Sequence, residues 1–190
     1  MHSDFDFKSG YQTENRPAGE QIGAIAGIRR QYGNVVGGIE INADFSNFKG
    51  NDLCPNNKFQ CRTIVAGLES VRGELGYAAG RWLVYGTAGL ALEQVTDEAI
   101  QTSDLSVDGT TGQRSKRGWV AGLGVESALS SRVSIGAQFL HYDFGKDNSS
   151  FTRPSDGSFR GNADFTDAVD VVEARISFKF DGSDHHTPLK

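Results

Sequence analysis

Residues 168–180 read AVDVVEARISFKF, and their pattern decides the fold. Val172, Ala174, Ile176, Phe178 and Phe180 fall on one side of an extended chain. Val171, Glu173, Arg175, Ser177 and Lys179 fall on the other. Successive side chains of a β-strand point to opposite faces, so a period of two over this length is a strand signal. A helix would repeat its apolar positions every three or four residues instead. This strand has one apolar face and one that carries charges of both signs.

The alternation continues outward from that stretch. In 35–45, Val35, Ile39, Ile41, Ala43 and Phe45 oppose Gly38, Glu40, Asn42 and Asp44. In 70–77, Val71, Leu75 and Tyr77 oppose Arg72 and Glu74. In 118–129, Trp119, Ala121, Leu123 and Val125 oppose Gly122, Gly124 and Glu126, and in 133–144, Val133, Ile135, Ala137 and Phe139 oppose Ser134, Gly136 and Gln138. Residues 21–30 show the same pattern, with Ile22, Ala24, Ala26 and Ile28 against Gln21, Gly23 and Arg29. Residues 82–95 are strand-like in composition, but their apolar face is undecided. Short connections at 31–34, 80–81 and 130–132 alternate with long polar ones at 48–63, 96–116 and 145–167. In an up-and-down sheet, alternate connections lie at the same end. The pattern therefore predicts short turns at one end and long loops at the other, as in outer-membrane barrels.

Composition is compatible with this. The 190 residues suit one domain, only 37% are hydrophobic, and 24 are glycine. No apolar run of about 18 residues is present, so no transmembrane helix is expected; strands that alternate escape that test. The net charge of −5 offers no basic face for nucleic acid. Residues 1–11 have neither the basic start nor the apolar centre of a secretory signal, so an exported protein requires a leader already removed or a start further upstream.

Alternation alone does not say which face meets water. The charged face carries Glu40, Arg72, Glu74, Glu126, Glu173 and Arg175, interleaved with glycine. Small residues suit a lumen of about eight strands, just wide enough for side chains. Charges of both signs can pair across it. Phe45, Tyr77, Trp82, Trp119, Phe139, Phe178 and Phe180 lie near strand ends, as interfacial girdles would. We expect the apolar face in lipid and the charges as struts inside, rather than as a solute gate. The rival is a soluble barrel with its ionic face in water.

Cys54 and Cys61 lie in one polar segment, CPNNKFQC, with no companion ligand for zinc. A local disulfide is expected over two free thiols, and it implies an oxidising compartment.

Three stretches resemble a known group. VRGELGYAAGRWLVYGTAGLAL (71–92), RGWVAGLGVESALSSRVSIGAQFLHYDFG (117–145) and the terminal VEARISFKF (172–180) are similar to small outer-membrane β-barrels of the porin-family, immunogenic outer-membrane protein group. The resemblance implies an OmpA-like eight-stranded barrel, surface loops and periplasmic chain ends. Two departures stand out. The family's aromatic, glycine-rich first strand is missing; only Phe5, Phe7 and Tyr11 alternate, over too short a run to span the bilayer. Met1 is therefore expected to lie within or just after that strand. Secondly, DGSDHHTPLK follows Phe180, where many members stop.

Other constellations carry less. His141, in FLHYDFG, lacks an adjacent serine and is expected at a membrane interface rather than in catalysis. GLGVES (122–127) has no helix start to hold a phosphate. His185 and His186 lack fixed partners for a metal. The acidic run with Asp97, Glu98, Asp104 and Asp108 lacks calcium-loop spacing and is expected to be a solvated loop. The resulting expectation is one all-β, antiparallel up-and-down transmembrane barrel over 1–180, eight strands with seven clear, and a disordered tail at 181–190. It is integral to the outer membrane, non-enzymatic, and without cofactor or metal. Its partners are outer-membrane lipid and host or cell-surface molecules met through the loops. Its role is envelope integrity and surface interaction or antigenicity. The alternatives are a narrow diffusion channel and a soluble lipocalin-like carrier.

Overall fold

A computed structural model describes residues 2–7, 11–15, 18–54 and 58–180. The expected tail at 181–190, with His185 and His186, lies outside these. The elements are β1 (His2–Phe7), β2 (Tyr11–Asn15), β3 (Gln21–Tyr32), β4 (Val35–Leu53), β5 (Phe59–Ala79), β6 (Trp82–Gln101), β7 (Val107–Thr110), β8 (Arg114–Ala128), β9 (Val133–Thr152) and β10 (Phe159–Phe178). No helix occurs among the described residues, and every named pairing is antiparallel.

Seven staves run in succession, β3, β4, β5, β6, β8, β9 and β10, each bonded to the next. In the upper half β1 pairs with residues 163–168 of β10, β2 pairs with β1, and the Ala18–Lys49 bridge ties the chain after β2 to β4. At that height the sheet closes. In the lower half nothing among the described residues pairs with the outer edge of β3, or with β10 over 169–178. The short β1 thus lies beside the upper part of β10.

The short connections behave as expected. Gly80 takes φ +60° in the turn between β5 and β6, a left-handed conformation that other residues adopt at a cost. The long polar connections do not. Residues 48–63, 96–116 and 145–167 were expected as loops, yet most of their length continues the strands. β4, β5, β6, β9 and β10 have 19, 21, 20, 20 and 20 residues. A membrane crossing needs about 9–11. Roughly ten residues per strand, on the order of 30 Å of strand, therefore rise above the apolar band as a tower. Polar residues on both faces hid these extensions from a reading that looks for one greasy face. β-bulges mark the transition, between Phe45 and Phe48 on β4, Val65 and Gly67 on β5, and Asp143 and Lys146 on β9.

The undecided face of β6 is now assigned. Trp82, Val84, Leu90 and Leu92 point outward, whereas Tyr85, Thr87, Ala91 and Glu93 are buried. Inward Leu83 and Tyr85 had obscured the alternation.

The lumen: an ionic girdle under an apolar plug

Side-chain exposure fixes the orientation. Val172 is 80% exposed, Phe45 and Ile22 78%, and Ile176 68%. Tyr77, Trp82, Phe178 and Phe180 are exposed at the turn end, Trp119 and Phe45 at the upper margin. Glu40, Arg72, Glu74 and Glu126 are buried. Over this height the arrangement is the reverse of a soluble barrel's.

The nominated charges converge in the lower lumen. Arg72 lies 2.7 Å from Glu40, and Arg175 reaches the other oxygen of the same carboxylate at 3.1 Å. Arg175 also stands 4.0 Å from Glu126. Glu173 accepts from Gln21 at 3.1 Å and also from Gln138. All six nominated residues enter this network.

Sequence reading missed its centre. Arg29 donates to Glu74 at 2.7 Å and to Glu126 at 2.8 Å, joining β3 to β5 and β8 across the lumen. It was placed on the polar face of its segment but not singled out. The signal was there: it is the one cation on that face, opposite several carboxylates. Tyr85 is the second omission. Its hydroxyl donates to Gln138 at 2.9 Å and accepts from Arg175 at 3.2 Å, while the Arg29 and Arg175 guanidinium carbons lie 5.6 and 5.9 Å from its ring centre. A Cβ added to Gly124 would fall 2.2 Å from Tyr85 Cζ, so glycine there makes room for the ring. These bonds are charge-assisted and shielded from water, the setting in which they hold geometry best.

Above the girdle the lumen turns apolar. Val65, Leu68, Val95, Val120, Leu140, Tyr142, Phe144, Val169 and Val171 form one buried cluster. Leu140 and Tyr142 are 0% exposed. Lys116 and Asp167 form an ion pair inside this layer, between β8 and β10. At the tower tip a second cluster joins Cys54, Cys61, Phe151 and Ala163. Cys54 and Cys61 form the expected disulfide.

The acidic run is a solvated loop only around Asp104, where residues 102–106 are exposed; Asp97, Glu98 and Asp108 lie in strands. Asp97 is buried, accepts from Thr63 at 2.9 Å, and meets Arg114 at 2.5 Å. Burial pushes its carboxyl up to about 6; the charge of Asp167 adds to this and Arg114 opposes it. Glu98 bonds Arg62, and Asp108 takes both Arg153 and Arg160 at 2.9 Å. Asp104 accepts from the Ser106 side chain and backbone, which holds its carboxyl below the usual range.

His141 sits on the outer face at the upper margin, its Nδ1 2.7 Å from Asp170 and its ring 5.5 Å from that of Trp119. GLGVES lies within strand β8. Among the described residues no group of three or more His, Cys, Asp or Glu is placed to hold a metal ion.

Comparison with known proteins agrees with this architecture. The family model for the outer membrane protein beta-barrel domain matches residues 2–180. The chain is 28% identical over 161 residues to the 31 kDa outer-membrane immunogenic protein of Brucella melitensis, covering 75% of this chain and 66% of that protein. The Brucella suis protein of the same name matches equally. A 22 kDa outer membrane protein of Rhizobium leguminosarum is 29% identical over 142 residues, covering 70% of this chain and 58% of its own length. The chain thus spans less than two thirds of these relatives. No solved structure matches. With its greasy outer face, its paired charges within and that family match, the chain belongs to the outer-membrane β-barrel domain family and resides in the outer membrane.

Proposed function

We propose that the protein is a non-conducting, non-enzymatic scaffold that braces the envelope and holds a rigid tower outside it for surface contact. One observation carries this reading: a buried, mainly apolar cluster from Leu68 and Val95 to Leu140 and Val169 fills the lumen with side chains between the girdle and the tower. Eight-stranded barrels have interiors that side chains fill. The girdle beneath it works as a set of struts, because Arg29 and Arg175 are each shared between carboxylates on different strands and Arg72 pairs with Glu40 on the neighbouring strand. The tower supplies the surface-interaction or antigenic part; the Brucella relatives are named immunogenic proteins, which supports that role.

Conductance across a planar bilayer tests the proposal. We expect no steady openings from the wild-type protein and none from Glu74→Ala. Steady openings that disappear in Glu74→Ala would instead make the girdle a gate and the protein a narrow diffusion channel.

A further inference from the structure

The lower rim of the barrel carries charge of one sign. Each short connection there has an arginine in or beside it: Arg30 in RRQYGN (29–34), Arg81 in AGRW (79–82) and Arg132 in LSSRV (129–133). None of these segments contains an acid. Lys179 follows the end of β10. All four residues are exposed. Among the described residues none of them meets a carboxylate, whereas Arg62, Arg114, Lys146, Arg153 and Arg160 of the tower all do. Arg81 donates to Ala128 O at 3.0 and 2.8 Å, which fixes the guanidinium without cancelling its charge. That contact joins the β5–β6 turn to the β8–β9 turn. The Lys179 N–H donates to Arg132 O at 2.9 Å and joins the second turn to the end of β10. Arg81, Arg132 and Lys179 thus stand along one arc of the rim.

The neighbours of this arc set its height in the membrane. Tyr32, Tyr77, Trp82 and Phe178 are exposed at the same end. Aromatic residues in such a girdle settle at the level of the lipid headgroups. The stems of arginine and lysine are long enough to reach the phosphates from there. The wall's own acids do not compensate the rim: Glu74 and Glu126 turn into the lumen, where Arg29 takes both. Asp181 and Asp184 follow in sequence and lie outside the described residues.

We propose that this rim selects anionic phospholipid in the periplasmic leaflet, with the headgroup phosphates held by Arg81, Arg132 and Lys179. A guanidinium meets a phosphate through two parallel N–H bonds, so the arc is complementary to an anionic headgroup in both charge and shape. A zwitterionic headgroup brings its own cation and gains less. The selection is independent of whether the barrel conducts.

The test uses the full chain in vesicles, with Trp119→Phe so that Trp82, beside Arg81 on the rim, is the one remaining tryptophan. Quenching of Trp82 by brominated phosphatidylglycerol is compared with quenching by brominated phosphatidylcholine. We expect the anionic lipid to be favoured about threefold at low salt. The preference should fall toward one in about 0.5 M salt. It should also fall in Arg81→Gln with Arg132→Gln, and persist in Arg81→Lys with Arg132→Lys. Heat-modifiable migration on a gel checks that each variant is folded. Equal quenching by the two lipids at low salt would overturn the proposal, as would a preference that salt leaves unchanged. A preference seen only after Asp181→Asn with Asp184→Asn would make the chain's own tail the partner of the rim and overturn selection of lipid.

Discussion

The same strands build two regions with opposite patterns. In the lower half of β4, Ile39 and Ile41 face out while Glu40 and Asn42 are buried. In the tower, Phe151 and the disulfide are inside, while Arg62 and Glu98 pair on the flank of β5 and β6. The inversion follows the surrounding solvent. Lipid accepts only apolar surface, so charges retreat inward and must pair. Water accepts charges, so the tower can carry ion pairs on its flank and bury apolar groups at its tip, with Asp97 and Arg114 paired inside its base. The bulges on β4, β5 and β9 fall where one regime passes to the other.

Substitutions that ignore this boundary should cost most. Arg72 is fully buried against Glu40, so Arg72→Ala strands a carboxylate in the lumen. We expect a loss of about 3 kcal/mol in urea unfolding from liposomes, moderated because Arg175 still reaches Glu40. Leu90 is 74% exposed in the apolar band. Leu90→Lys should cost about 2–3 kcal/mol, whereas Thr96→Lys, further up β6 in the tower, should cost about 0–0.5 kcal/mol. Equal penalties at these two positions would erase the contrast between the regions.

The lower half was legible in sequence because one environment acts on each face. The pattern of 168–180 is unbroken there, and it identified Glu173 and Arg175 as inward. The tower was not legible. Asp97 and Arg114 read as loop charges because no local pattern announces a pair made 17 residues apart across two strands. The bulge between Val65 and Gly67 also resets the alternation, so a period-two reading of β5 fails above it. Arg29 escaped notice for a related reason: its partners lie 45 and 97 residues away.

Smaller effects sharpen the comparison within the tower. Replacing Cys54 and Cys61 by serine opens a short cross-link at the tip. We expect roughly 2 kcal/mol of lost protection in β4 and β5 above their bulges, with the membrane half unaffected. Unfolding of both halves together would show that they are not separate regions. Asp97 gives the mildest signal. Its folded carboxyl titrates at about 6, above the ordinary value of 3.8, so folding takes up a proton between those values. Its contribution is fully present below pH 3.8 and is lost as pH rises through about 6. Tower stability should therefore increase on acidification across that window, and Asp97→Asn should flatten the profile. A profile that falls on acidification in the wild type and not in the variant would contradict the assignment.

Orientation of the last strand can be read directly by fluorescence quenching with brominated acyl chains. Single tryptophans are placed at Ile176 and Ser177 after Trp82 and Trp119 are replaced by phenylalanine. Tryptophan at 176 should be strongly quenched and tryptophan at 177 protected. Quenching at 177 with protection at 176 would place the charges in lipid and contradict the fold described for this barrel.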